Sequence, residues 1–204
     1  QGRYSFANQP IITQWNLARL AETILPLLSD KHENSLKLAE EAINTFADLY
    51  QSKWLNMMRL KIGLIAKENE DKSLISELLV IMQKHKADFT NTFSLLSENN
   101  LPDVELFKTE EFLFWYKKWK LRLEKESKSF EDMRKIMETN NPKIIPRNHL
   151  VERALKKAEK GDLKTIKEYI KILKNPYDSK INIADEYFMP PNDNEKVLQT
   201  FCGT

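Results

Sequence analysis

At 204 residues with 41% hydrophobic content, the chain is long enough to bury a core, and its length suits one domain or two small ones. Its 32 Lys and Arg nearly cancel 30 Asp and Glu, so the net charge of +2 gives little global pull toward polyanions and lends no support to a nucleic-acid partner. The single cysteine, Cys202, excludes an internal disulfide framework and a cysteine-based zinc site, and fits a reducing compartment. His32, His85 and His149 lack the four-residue spacing of a helical metal pair, so no metal site is expected. The longest apolar runs, such as Phe112 to Tyr116, fall far short of the ~20 residues that cross a bilayer. Neither an initiator methionine nor a signal segment precedes Gln1, and we expect a piece cut from a longer protein.

Glycine is sparse and the periodic segments are rich in Leu, Ile, Lys and Glu, so the expected class is all-α. Ile11, Trp15, Ala18, Ala21 and Leu25 recur at helical spacing and predict a helix over 11–28, which Pro26 should kink or end. Asn34 or Ser35 can cap the next helix, whose stripe runs through Leu38, Ala42, Phe46, Leu49, Met57, Leu60 and Leu64, with a break expected near Ser52 and an end near Gly63. Leu74, Ile75, Leu78, Leu79 and Met82 predict a buried-face helix, and Phe89, Phe93 and Leu96 a shorter one after Asp88. Residues 97–103 read as a loop dividing two blocks. An aromatic helix follows, with Phe112, Trp115, Tyr116 and Trp119 on one face and Lys117, Lys118, Lys120 and Arg122 on the others, then a short helix over 129–138. Asn140-Asn141-Pro142 breaks the pattern. Leu150, Ala154, Leu155 and Ala158 lead to Gly161 as a helix terminator, and Asp162 can cap a helix bearing Ile166, Tyr169, Ile170 and Leu173. Past Asn175-Pro176 periodicity is lost, and Pro190-Pro191 begins what reads as an extended tail. The expected blocks are therefore 1–100, 101–174 and a tail over 175–204.

Few residues suggest chemistry. The basic aromatic stretch Trp115 to Lys128 suits stacking of single-stranded bases, but its helical spacing favours a core face with solvated lysines behind it. Asp88-Phe89-Thr90 has Thr where a kinase-type metal-binding triplet needs Gly, so Asp88 reads as a helix cap. No Gly-rich phosphate loop or nucleophile elbow is present in the sequence. Asn16 with Arg19, Arg59 with Lys61, and Arg147 with Asn148 sit inside apolar stripes, either as anion contacts or, the favoured reading, as buried struts. Cys202 is either an idle thiol or a redox handle.

Several strings together resemble one family. Gly2-Arg3-Tyr4-Ser5-Phe6, Asn8-Gln9-Pro10 and Trp15-Asn16-Leu17 with Arg19-Leu20-Ala21 look like the segment after the catalytic core of selenoprotein O-type protein adenylyltransferases. Met58-Arg59 with Lys61-Ile62-Gly63-Leu64, Asp88 to Phe93, Asn141-Pro142-Lys143 with Arg147-Asn148, Ala158 to Asp162, Asn175-Pro176-Tyr177, Pro190-Pro191 and Cys202 follow in the same order. The resemblance implies the helical C-terminal part of a kinase-like fold, in an enzyme that passes AMP from ATP, with magnesium, to Ser, Thr or Tyr of protein substrates. It also implies that the catalytic, ATP-binding and metal-binding residues lie upstream, so no catalytic residue, cofactor or metal ligand is expected within the chain. The implied partners are that upstream catalytic lobe and the protein substrates, with no nucleic acid and no membrane. The implied location is cytoplasmic in a bacterium or mitochondrial in a eukaryote. Cys202 stands where the family has a C-terminal Cys or selenocysteine implicated in redox control, while Gln199 occupies the place of a second cysteine three residues earlier. The competing class is a free-standing helical interaction module, binding RNA through Trp115 to Lys128.

Overall fold

The computed structural model describes residues 8–98, 100–178 and 183–197. Among these the all-α expectation holds: nine α-helices and two single-turn 3-10 helices, with no strand. The chain divides into two compact units, Gln1–Met57 and Met58–Thr204.

The first unit holds α1 (Gln9–Leu28) and most of α2 (His32–Lys61). Pro10 lies in the first turn of α1, where a missing N–H breaks no helical bond. Pro26 does not itself end the helix: α1 continues to Leu28, since a proline this near the terminus removes a single bond from an otherwise complete ladder. Asn34 and Ser35, expected as caps, lie inside α2. The turn is instead closed by Ser29, whose Oγ accepts from the Lys31 amide at 3.2 Å and whose carbonyl accepts from Ser35 Oγ at 3.2 Å. α2 runs unbroken past Ser52, and Leu38, Leu49 and Met57 of its expected stripe are exposed.

The second unit contains the core. Gly63, at φ +76, turns the chain out of α2, and a β-carbon there would meet the Met133 carbonyl oxygen and Met137 Cγ at 3.3 Å. α3 (Asp71–Lys84) packs on α6 (Glu110–Leu123). The reason is chemical pattern: Leu74, Ile75, Leu78 and Met82 face Phe112, Trp115 and Trp119, all buried. The rings of Trp115 and Trp119 stack 5.7 Å apart at 8°, and each indole N–H finds a carbonyl, Trp115 that of Leu74 at 2.8 Å and Trp119 that of Ile62 at 2.9 Å. Around them lie α4 (Phe89–Leu95), α5 (Glu105–Lys108) and α7 (Phe130–Asn140), with Asp88, Thr109 and Ser129 capping α4, α6 and α7 through their side chains.

α8 (Asn148–Glu159) and α9 (Lys164–Leu173) form the expected antiparallel pair, separated by Gly161 at φ +88. Leu150, Ala154 and Tyr169 form a small cluster of their own with Ile166 and Leu173 against it. The segment read as extended carries 3-10 turns at Asp185–Tyr187 and Asp193–Glu195. These turns are tied to α8 by Arg153, which bonds Glu186 at 2.6 Å and Glu195 at 2.9 Å.

Because Trp115 is fully buried and bonded, Trp115→Ala should cost about 3–5 kcal/mol of folding stability. Urea unfolding monitored by far-UV circular dichroism measures it, and a change below ~1 kcal/mol would contradict the packing described.

Candidate functional site

Cys202 lies outside the described residues, as do Gly2 to Phe6 and Gln199. The embedded polar groups divide. Arg59, Lys61 and Arg147 join buried or half-buried hydrogen-bonded networks, as the strut reading expects. Asn16, Arg19 and Asn148 are exposed, and Arg19 pairs with Glu22 on the same helix at 2.6 Å. Helical spacing alone did not reveal that α1 presents that side to solvent.

The strongest electrostatic feature of the second unit is one that sequence reading missed. Asp71, with no exposed surface, opens α3, and its carboxylate accepts from Arg59 Nε at 2.6 Å, Arg122 Nε at 2.7 Å and the Glu68 amide at 3.0 Å. Arg122 was expected among the solvated cations of α6, yet it is 3% exposed. Its remaining donors reach Glu126 at 2.9 Å and the Ala66 carbonyl at 2.8 Å, while the Ala66 amide donates to Glu126 at 3.1 Å. Both backbone polar groups of Ala66 are thus satisfied, which fixes the loop between α2 and α3. Burial pushes the Asp71 carboxyl up, but bonds from Arg122, the Glu68 amide and Arg59 outweigh it and hold the group below the usual carboxylate range.

A second charged centre joins distant segments. Asp88 caps α4 by accepting from the Asn91 amide at 2.9 Å and takes a forked pair from Arg147, at 2.8 Å from Nη1 and 3.1 Å from Nη2. Arg147 Nη2 also reaches Asn91 Oδ1 at 3.0 Å and the Phe188 carbonyl at 2.7 Å, and its amide donates to the Tyr169 hydroxyl at 3.0 Å. Desolvation raises the Asp88 carboxyl, and the Arg147 and Asn91 bonds more than offset it, leaving it lowered. A third junction is reciprocal: Lys61 Nζ donates to the Asn140 carbonyl at 2.9 Å, while Asn141 Nδ2 donates to the Lys61 carbonyl at 2.8 Å.

Each carboxylate accepts from two guanidinium nitrogens and one backbone amide, which commits it to holding the fold. Among the described residues no group of three His, Cys, Asp or Glu could hold a metal ion. The Trp115 and Trp119 rings are wholly buried and unavailable for stacking on bases; Lys117 and Lys118 are exposed, while Lys120 is half-buried over the Phe130 ring. A pocket lined by His149, Glu152, Arg153, Lys156 and Glu195 has its Arg153 and Glu195 already paired to each other. His149 lies in its wall, its pKa lowered chiefly by burial, so the ring is neutral at pH 7. No helix among the described residues is long and apolar enough to cross a membrane.

A family model described as protein adenylyltransferase SelO matches residues 1–174. The protein nucleotidyltransferase YdiU of Clostridium beijerinckii is 46% identical over 204 residues, that of Bacillus mycoides 45% over 205, and that of Clostridium perfringens 44% over 203. Each alignment takes in 100% of this chain but only 41% or 42% of the relative. The chain thus spans about two fifths of the length of the curated relatives it matches.

Asp71→Asn should cost about 3–5 kcal/mol, since it leaves two buried guanidinium groups facing a neutral amide. The folded-state pKa of Asp71 is lowered, so its contribution is complete above the unfolded carboxyl pKa near ~4 and is lost as pH falls further. Urea denaturation from pH 7 down to 3 should show a smaller acid loss in the variant than in the parent. Equal acid limbs would place the titration on other carboxylates.

Proposed function

The chain belongs to the protein adenylyltransferase SelO family, and from that premise we propose that it is the helical supporting part of a longer enzyme. That enzyme passes AMP from ATP to hydroxyl groups of protein substrates, using residues outside this chain. The support for this reading is the family match over residues 1–174, taken with the share of each relative that the chain spans. The local chemistry agrees with a supporting role, because the buried charges Asp71, Arg59, Arg122 and Arg147 are committed to helix ends and loops. ATP and magnesium belong to the rest of the enzyme, which has a kinase-like fold.

Within the same reading Cys202 is a regulatory thiol. It joins a cysteine outside this chain in a disulfide, with two thiols giving up two protons and two electrons to a small-molecule disulfide oxidant. A tail tied down in this way restricts access to the catalytic lobe. Thr200, Phe201 and Gly203 supply no cation to lower the thiol pKa, so the exchange depends on access more than on activation.

Two experiments test this function. Calorimetry of the chain alone with Mg-ATP should show no saturable binding tighter than about 100 µM, an affinity of roughly −5.5 kcal/mol, while the full-length polypeptide binds and labels proteins with AMP. Saturable binding by the chain would place nucleotide contacts within it, and absence of AMP transfer by the full-length protein would overturn the assigned activity. Separately, Cys202→Ser in the full-length polypeptide should make AMP transfer insensitive to reductant. A variant that responds to reductant as the parent does, with Cys202 found free on peptide mapping, would place any redox switch elsewhere.

A further inference from the structure

The two 3-10 turns at Asp185–Tyr187 and Asp193–Glu195 bury none of their own residues. Two arginines fasten them. Arg153 bonds Glu186 of the first turn and Glu195 of the second, and Arg147 Nη2 bonds the Phe188 carbonyl, which also accepts from Asn91 Nδ2 at 3.0 Å. Tyr187 adds a ring contact, 5.6 Å from Tyr169. A segment fastened by partly exposed ion pairs rather than by burial opens at lower cost than a core helix. His149 stands between these two arginines in the sequence, in the first turn of α8, and is buried. Its Nδ1 has no hydrogen-bond partner. The residue also lines a pocket of about 510 Å³ with α8 residues and the second 3-10 turn, which gives protons a route to the ring. The charged groups that face it are Arg147, Glu152, Arg153 and Lys156 from its own stretch of chain, Glu186 from the first turn, and Glu195 and Lys196 from the second.

We propose that His149 is a proton sensor: when its ring gains a charge in mildly acidic solution, residues 185–196 unfasten from α8. A neutral imidazole carries a hydrogen on one nitrogen, whereas the imidazolium carries one on both. In the fastened arrangement the Nδ1–H of the charged ring is buried without an acceptor, and an unmatched donor on a charged group costs more than one on a neutral group. The ring also sits in the first turn of α8, where the helix dipole disfavours a cation, and two guanidinium groups flank it. Glu186 and Glu195 favour the charged ring, but both carboxylates are already engaged by Arg153. Unfastening admits water to the ring and releases these carboxylates, so the open form binds the proton more tightly. Burial holds the ring's pKa down in the fastened state, so the fastening is complete above the free-imidazole value of ~6.5 and weakens as pH falls through the lowered one.

Ring-proton NMR of the chain, whose other histidines are His32 and His85, follows the His149 titration directly once its signal is assigned with His149→Gln. The double variant Glu186→Gln/Glu195→Gln removes the partners of Arg153 and should raise the His149 midpoint toward ~6.5. Loss of two nearby carboxylates from a segment that stayed fastened lowers the midpoint instead, so a lower or unchanged value overturns the proposal. Hydrogen exchange, corrected for intrinsic rates, reads the fastening through the Tyr187, Phe188 and Glu195 amides, which donate within the two turns. Their protection in the parent should fall at least about threefold between about pH 7.5 and 5, starting near ~6.5, while the α6 amides near Trp115 and Trp119 stay protected. Constant protection overturns the proposal, and so does a fall that begins only in the carboxylate range below about pH 4.5.

Discussion

The second unit depends on a buried carboxylate held between two guanidinium groups. Asp71 has no exposed surface, yet Arg59 from the end of α2, Arg122 from α6 and the Glu68 amide all converge on it. A charge withdrawn from water in this way is tolerable only when its partners are close and its lone pairs are used. That requirement fixes where α2 ends, where α3 begins and how α6 lies across both. The indole bonds of Trp115 and Trp119 to the carbonyls of Leu74 and Ile62 act on the same three elements, so apolar packing and charge pairing specify one arrangement.

The Asp88 and Arg147 centre does for the later helices what Asp71 does for the earlier ones. One guanidinium group reaches the cap of α4 and the carbonyl of Phe188, while the Arg147 amide engages the Tyr169 hydroxyl of α9. Lysine could not replace it, because a point charge cannot present parallel donors to a carboxylate and a further donor to a carbonyl. Through this residue Phe188, in a stretch that lacks helical periodicity, acquires a defined place beside α4 and the start of α8.

The two units differ in how they satisfy their apolar residues. The second encloses Trp115, Trp119, Phe93 and Phe112 within its own helices. The first leaves Leu20, Leu27, Leu38 and Leu49 exposed on helices that are well formed locally. Their exposure is a property of each helix face and is not offset by burial elsewhere in that unit.

Periodicity by itself determined the helical class, the aromatic face of α6, the cap at Asp88, the stop at Gly161 and the pairing of α8 with α9. These are local properties, written within one or two turns of chain. The ordered family strings likewise pointed to the family that the comparisons then established. Only the tertiary structure decided that Asp71 is buried, that Arg122 points inward and that Arg19 and Asn16 face solvent. The partners of Asp71 lie 12 and 51 residues away, and the Arg147 side chain and Phe188 carbonyl are separated by 41. No local spacing encodes such pairings, because the same Asp or Arg is stable in water until packing removes the water and leaves another side chain as its only partner.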